Sequence, residues 1–155
     1  MSVVVLTGKG PSFATGADIK SIATMTGKDV LFDDYFKKDW WIIMQSFRKP
    51  FIVAINGMVF GGGLELAMCA DILVCTESSK LGLPEINLGV FAGSGGCVRL
   101  TQAVGKSKAM EMALTGQPIS ARDALNWGLV SHVYPDTDAM ITSTMALAKT
   151  IASKS

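Results

Sequence analysis

The sequence predicts an α/β domain with buried strands, and three observations predict it. Of the 155 residues, 49% are hydrophobic, 17% are charged and 16 are glycine, a composition suited to apolar strands hidden inside a core. Apolar runs of strand length, residues 51–55 and 71–75, are bounded by Pro50, Asn56-Gly57 and a polar turn. Other stretches repeat their apolar residues at helical spacing. A chain of this length makes one domain, residues 1–155, with a real core.

Composition also excludes. The charges nearly cancel, 14 basic against 13 acidic, so no nucleic-acid or membrane footprint is expected. The cysteines Cys69, Cys75 and Cys97 are odd in number and never in C-x-x-C spacing. They read as reduced core thiols in a reducing compartment, mitochondrial matrix or cytoplasm, and not as a disulfide frame or zinc site. The opening MSVVVLTG lacks a basic region and a cleavage site, so no export signal is legible. The high apolar content further suggests that a partner covers some surface.

Residues 3–6 form an apolar, mostly β-branched run expected to be a buried strand, and the chain reads as beginning mid-domain. Residues 7–20 form a glycine-punctuated loop ending in a helix start. Gly8 and Gly10 do not extend to G-x-G-x-x-G, because Phe13 stands at the third glycine position, so the dinucleotide fingerprint is absent. Residues 21–28 are small and polar, a mobile loop. Over residues 29–49, Phe36, Trp40, Ile43, Met44 and Phe47 mark an amphipathic helix ended by Pro50, with Trp40 and Trp41 as packing groups.

The stretch from Ile52 to Cys75 organises the rest. A strand, residues 51–55, leads to Gly61, Gly62 and Gly63, then to a helix from 64 to 69 and a second strand from 71 to 75. A helix opening on glycines leaves backbone N–H groups uncovered at the positive end of its dipole, which favours an anionic oxygen. Glu65 places a carboxylate in that first turn, amid apolar residues. A glycine triplet also occurs where two elements cross closely, and a lone glutamate there can simply complement the dipole. A membrane span is ruled out by Glu65, Asp71 and the glycines.

Beyond a polar turn at 76–80, Glu85 follows Pro84 in an apolar loop, where it reads equally as a surface charge. Residues 92–96 (AGSGG) open a helix from about 97 to 104. Ser94 is not a hydrolase nucleophile: Ala92 replaces the first glycine of the elbow, and His132 lies only nine residues beyond Asp123. Gly105-Lys106-Ser107 is not a P-loop, since Leu100 occupies the required glycine position. A helix over 107–115 stops at Gly116. Ser120 and Asp123 have capping-box spacing for the next, which Gly128 ends. Residues 129–134 read as a strand carrying a structural His132, and 138–152 as a final amphipathic helix.

Three pieces, SFATGADIK, NGMVFGGGLELAMCADI and LGLPEINLGV with its GSGG and RLTQAVGKSKAMEMALTG continuation, together resemble the enoyl-CoA hydratase/isomerase (crotonase) superfamily, and its hydratases most closely. The resemblance runs from Val3 to about Pro135 and implies a spiral of strand–strand–helix units. Such proteins normally carry another unit before this point and trimer-building helices after it, and they usually have proline where this chain has Ala92. The resemblance implies that the N–H groups of Ala17 and Gly62 form an oxyanion hole for a thioester carbonyl. It further implies that Ala14, Ala17, Asp18, Ile19, Lys20, Gly61 and Gly62 line the coenzyme A site, that Glu65 and Glu85 are the catalytic carboxylates, and that Gly93 positions the attacking water through its backbone. The implied substrate is an acyl-CoA thioester with no bound cofactor and no metal, and the implied assembly a homotrimer or a dimer of trimers.

Hydration of an enoyl thioester suits these residue types. Negative charge develops on the thioester oxygen, where one backbone donor is worth ~3 kcal/mol of barrier. Two carboxylates around one water divide proton removal from proton delivery if their environments differ. Family members with a single carboxylate at these positions tend to be isomerases, so the presence of both favours hydratase. The alternatives are a truncated, non-catalytic crotonase-fold assembly subunit, supported by the expected missing flanks and the apolar content, or an enoyl-CoA isomerase.

Overall fold

The computed structural model describes residues 3–26, 28 and 46–154; the expected helix at 29–49, with Trp40 and Trp41, lies largely outside them. The chain runs β1 (Val4–Thr7), β2 (Ser12–Ala14), α1 (Ile19–Ala23), β3 (Phe51–Ile55), β4 (Met58–Phe60), α2 (Gly62–Ala67), β5 (Ile72–Thr76), β6 (Lys80–Gly82), a 3-10 helix (Pro84–Leu88), α3 (Gly96–Val104), α4 (Lys106–Thr115), β7 (Ile119–Ser120), α5 (Ala121–Asn126), β8 (His132–Tyr134) and α6 (Thr137–Ala152). From β1 to β6 successive strands alternate between two sheets, and β7 then joins β6 in the second. One sheet has the order β1-β3-β5-β8, the other β2-β4-β6-β7. The first is parallel throughout, with Val5 beside Ile52 and Ile52 beside Ile72. In the second only β6–β7 is antiparallel. Through β6 each strand–strand–helix turn therefore adds one strand to each sheet, which is the spiral expected.

β3 is buried on both faces, so its side chains sort by alternation. Phe51, Val53 and Ile55 meet Leu73, Cys75, Leu64, Val59 and Leu81 in the core between the sheets. Ala54 turns the other way, onto Val74 and Met140 beneath α6. Fully burying one such aliphatic side chain contributes about 1.5–3 kcal/mol. Polar groups at the strand ends are satisfied: the Ser79 hydroxyl donates to the Ile55 carbonyl at 3.0 Å and lies 2.9 Å from the Thr76 hydroxyl.

Several local expectations need adjustment. The first strand is half-buried, because it is the edge of its sheet with β3 as its one partner among the described residues. The segment expected as a mobile loop at 21–28 begins inside α1. The apolar stretch after residue 80 contains β6 and a 3-10 helix, and the strand expected over 129–134 is confined to β8, with His132 exposed. The capping box on α5 forms as spaced: the Asp123 N–H donates to the Ser120 hydroxyl at 3.1 Å and the Ser120 N–H to Asp123 Oδ2 at 3.4 Å.

Candidate functional site

Glu65 lies two residues beyond the glycine triplet, on α2 with Leu64 and Ala67, both 0% exposed. Those core contacts fix the helix's rotation, and Glu65 itself is 3% exposed. A carboxylate there needs donors. Oε1 accepts the N–H of Ser94 and that of Gly96, each at 2.7 Å. A Cβ on Gly96 would stand 2.8 Å from that oxygen, so the close approach requires glycine. Burial pushes the Glu65 carboxyl above its ordinary value, outweighing the Gly96 and Ser94 hydrogen bonds and the nearby Arg99 charge that pull it down.

Glu85 has different surroundings. It follows Pro84 in the first turn of the 3-10 helix, where a missing N–H costs little. Its Oε1 stands over Gly61, close enough that a Cβ there would be 3.1 Å away. Oε2 is buried with no hydrogen-bond partner among the described residues. The carboxyl is raised first by burial and further by the charge of Glu65, against only its own N–H. A small pocket beside it is walled by Leu83, Ile86, Phe91, Ala92, Cys97 and Ala113.

The glycine triplet has separate tasks. Gly63 is where α2 crosses β2: a Cβ there would stand 2.7 Å from the Ala14 carbonyl carbon and 2.8 Å from the Ala14 Cβ. Gly62 is the first residue of α2, so its N–H has no partner inside the helix. A Cβ on Gly62 would lie 3.9 Å from the Ala17 nitrogen, so the two residues adjoin. Any side chain on Gly16, at φ 95°, would come within 3.2 Å of the Gly62 nitrogen and cover it.

The loop carrying Ala17 is clamped by Asn56, whose Nδ2 donates to the Gly10 carbonyl at 2.7 Å and whose Oδ1 accepts the Gly8 N–H at 3.0 Å. Asp18 Oδ1 accepts the Lys20 N–H at 3.0 Å, starting α1 and leaving Ala17 just outside it. Ala17, Asp18, Ile19, Lys20 and Gly93 are all exposed.

The structure thus brings together Ala17, Gly61, Gly62, Glu65 and Glu85 from segments far apart in sequence. It adds groups that the sequence reading did not single out: the backbone N–H groups of Ser94 and Gly96, and Arg99 behind them. Ser94 takes part through its backbone, in keeping with its rejection as a nucleophile. Backbone donors leave no side-chain signature, and the only available hint was the glycine density at 93–96. Among the described residues no cluster of His, Cys, Asp and Glu could hold a metal ion, and no helix is long and apolar enough to cross a membrane.

Comparison with known proteins points the same way. The family model for enoyl-CoA hydratase/isomerase matches residues 1–155. A probable enoyl-CoA hydratase of Mycobacterium bovis is 43% identical over the whole chain and 59% of its own length. The mitochondrial enoyl-CoA hydratase of Pongo abelii is 43% identical over 52% of its length. The 2,3-dehydroadipyl-CoA hydratase of Escherichia coli is 41% identical, over 98% of this chain and 58% of its own. A solved enoyl-CoA hydratase subunit of Geobacillus kaustophilus superposes with a TM-score of 0.92 at 38% identity, covering 98% of this chain and 58% of that one. That of Bacillus anthracis gives 0.90 at 36% identity, over 99% of this chain and 59% of its own. The chain therefore spans little more than half the length of the proteins it matches. Within that span the match is continuous in sequence and in fold, and the chain belongs to the enoyl-CoA hydratase/isomerase family.

Proposed function

We propose that this chain carries the hydration site of an enoyl-CoA hydratase, adding water across the 2,3 double bond of an acyl-CoA thioester. The observation that carries the reading is the contrast between two neighbouring carboxylates: Glu65 is held by two N–H donors, whereas Glu85 has a buried, unpartnered Oε2. Donors favour the ionised form, and burial offset only by the residue's own N–H, beside a like charge, favours the protonated form. Glu65 is thus suited to take a proton from water as its oxygen attacks C3, and Glu85 to deliver one to C2. The Ala17 and Gly62 N–H groups meet the charge on the thioester oxygen, in a geometry that pre-exists the reaction. Water ends as a hydroxyl on C3 and a hydrogen on C2, giving a 3-hydroxyacyl thioester. With both carboxylates present, hydration is favoured over isomerisation.

A second reading, the non-catalytic assembly subunit, draws on one observation. Leu88, Val90, Phe91 and Leu114 are all more than half exposed, an apolar surface suited to other subunits of a trimer or hexamer.

The test is loss of conjugated enoyl absorbance when the protein meets crotonyl-CoA. Glu65→Gln and Glu85→Gln should each hydrate about 10²- to 10⁴-fold more slowly while still binding coenzyme A. Hydration at the parent rate by either variant sinks the two-carboxylate assignment. A folded parent that hydrates nothing returns the chain to the assembly reading.

A further inference from the structure

The loop that holds Glu65 is itself held from behind. On its inner side the Ser94 and Gly96 N–H groups converge on Glu65 Oε1. On its outer side Arg99 Nη1 donates to the Ser94 carbonyl at 2.8 Å. The guanidinium lies against Gly95, where a Cβ would stand 3.0 Å from Arg99 Cζ, and Gly95 takes φ 91° to pass it. The Arg99 N–H also donates to the Gly95 carbonyl at 3.0 Å. One arginine thus holds Ser94 and Gly95, and through them the short loop whose Ser94 and Gly96 N–H groups hold the carboxylate.

We propose that Arg99 is a positioning residue for Glu65, fixing the Ser94–Gly96 loop so that both N–H groups stay on one oxygen and setting a permanent positive charge behind it. The inference rests on the reading of Glu65 as the base. It asks nothing of substrate contact, since Arg99 acts through the loop. A guanidinium is suited to this, as it grips a carbonyl with a planar, always-charged donor set.

Few other charges compete. α2 packs on α3, β2 and β4, and the two strands comprise Ser12, Phe13, Ala14, Met58, Val59 and Phe60 with no titratable group. From α3 come Arg99 and Cys97, whose thiol is turned to the Ala92 carbonyl at 3.8 Å. From the 3-10 helix comes Glu85, and from just beyond the end of α2 comes Cys69, whose thiol donates to the Glu65 carbonyl at 3.5 Å. Arg99 is the cation of this set. Its charge lowers the titration of both Glu65 and Cys69 against burial, as a charge placed behind the loop should.

The experiment compares Arg99→Met and Arg99→Lys with the parent. A base must be ionised to work, and losing a nearby positive charge raises its pKa. The acid limb of kcat against pH should therefore move to higher pH by about one unit in Arg99→Met. Its plateau kcat should fall roughly tenfold to a hundredfold through misplacement, with KM little changed. Arg99→Lys, which keeps the charge, should keep the limb near the parent's. A limb in Arg99→Met that coincides with the parent's overturns the proposal, whatever happens to kcat. Arg99→Gln carries the same comparison should Arg99→Met not fold. If the parent does not hydrate crotonyl-CoA, the carboxyl-carbon NMR titration of Glu65, assigned through Glu65→Gln, decides independently. A higher midpoint in Arg99→Met supports the positioning role, and an unmoved one overturns it.

Discussion

β3 and the glycine segments beside it are built from opposite materials. Every residue from Phe51 to Ile55 is buried, and what that strand contributes is side-chain volume, sorted by alternation to two cores. The segments 61–63 and 94–96 contribute almost no side chain. Their product is a set of N–H groups that neighbouring backbone and carboxylate approach closely. The difference teaches that stability and chemistry are encoded separately here, although only five residues separate the end of β3 from the first glycine of the triplet. Volume errors in β3 should be graded and shared by the whole fold. Donor errors in the glycine segments should be local and silent in a melting curve.

The largest effect expected on the β3 side is from Ile55→Ala, which empties a fully buried position between the sheets. It should destabilise by about 2–5 kcal/mol in urea unfolding, with turnover per folded molecule unchanged. A folded variant with altered turnover would break the separation of roles.

On the glycine side the sharpest probe is Gly62→Pro. Proline is accepted at the first position of a helix and lacks only the N–H. A Cβ at 62 meets nothing closer than 3.8 Å, and Gly61 precedes it in the mirror image of an extended conformation, φ 53° and ψ −129°. The expected outcome is an unfolding midpoint near the parent's and a kcat on crotonyl-CoA lower by about 10²- to 10³-fold, the cost of one oxyanion donor. A normal kcat would remove Gly62 from the proposed oxyanion hole.

The smallest effect should be Glu85→Gln on stability. The folded pKa of Glu85 is raised above the ordinary 4.5. Its contribution to stability is therefore fully present below the unfolded pKa and lost as pH rises through the folded one. The variant should melt with the parent in acid and slightly above it at neutral pH. A gain confined to acid would mean the sign of the Glu85 shift is wrong.

Much of the β3 side was legible in sequence, because buried strands announce themselves as apolar runs and helix starts as caps such as Ser120 with Asp123. The glycine side was legible only in part. Its second sheet is made of strands of two and three residues, too short for a period-2 pattern to register. The partners of Glu65 are backbone groups 29 and 31 residues away, which no spacing rule reaches. Arg99 reads as an ordinary helical cation until its grip on the Ser94 carbonyl is seen. Both carboxylates stood out in apolar sequence, but their roles came from the family resemblance, and only the structure distinguishes the held one from the unheld one.

The spiral also says how such a molecule grows. Along β1, β3 and β5 in one sheet, and β2, β4 and β6 in the other, each strand's neighbours are the strands one turn earlier and one turn later. A further turn laid beyond β1 and β2 would extend both sheets without displacing any existing pair. Within a turn the connection can also vary, since β1 and β3 pair in unbroken register across a far longer stretch than β3 and β5 do. Length can therefore be gained by whole storeys or within a storey's connection, while the strands themselves, fixed by their neighbours on either side, stay closed to insertion.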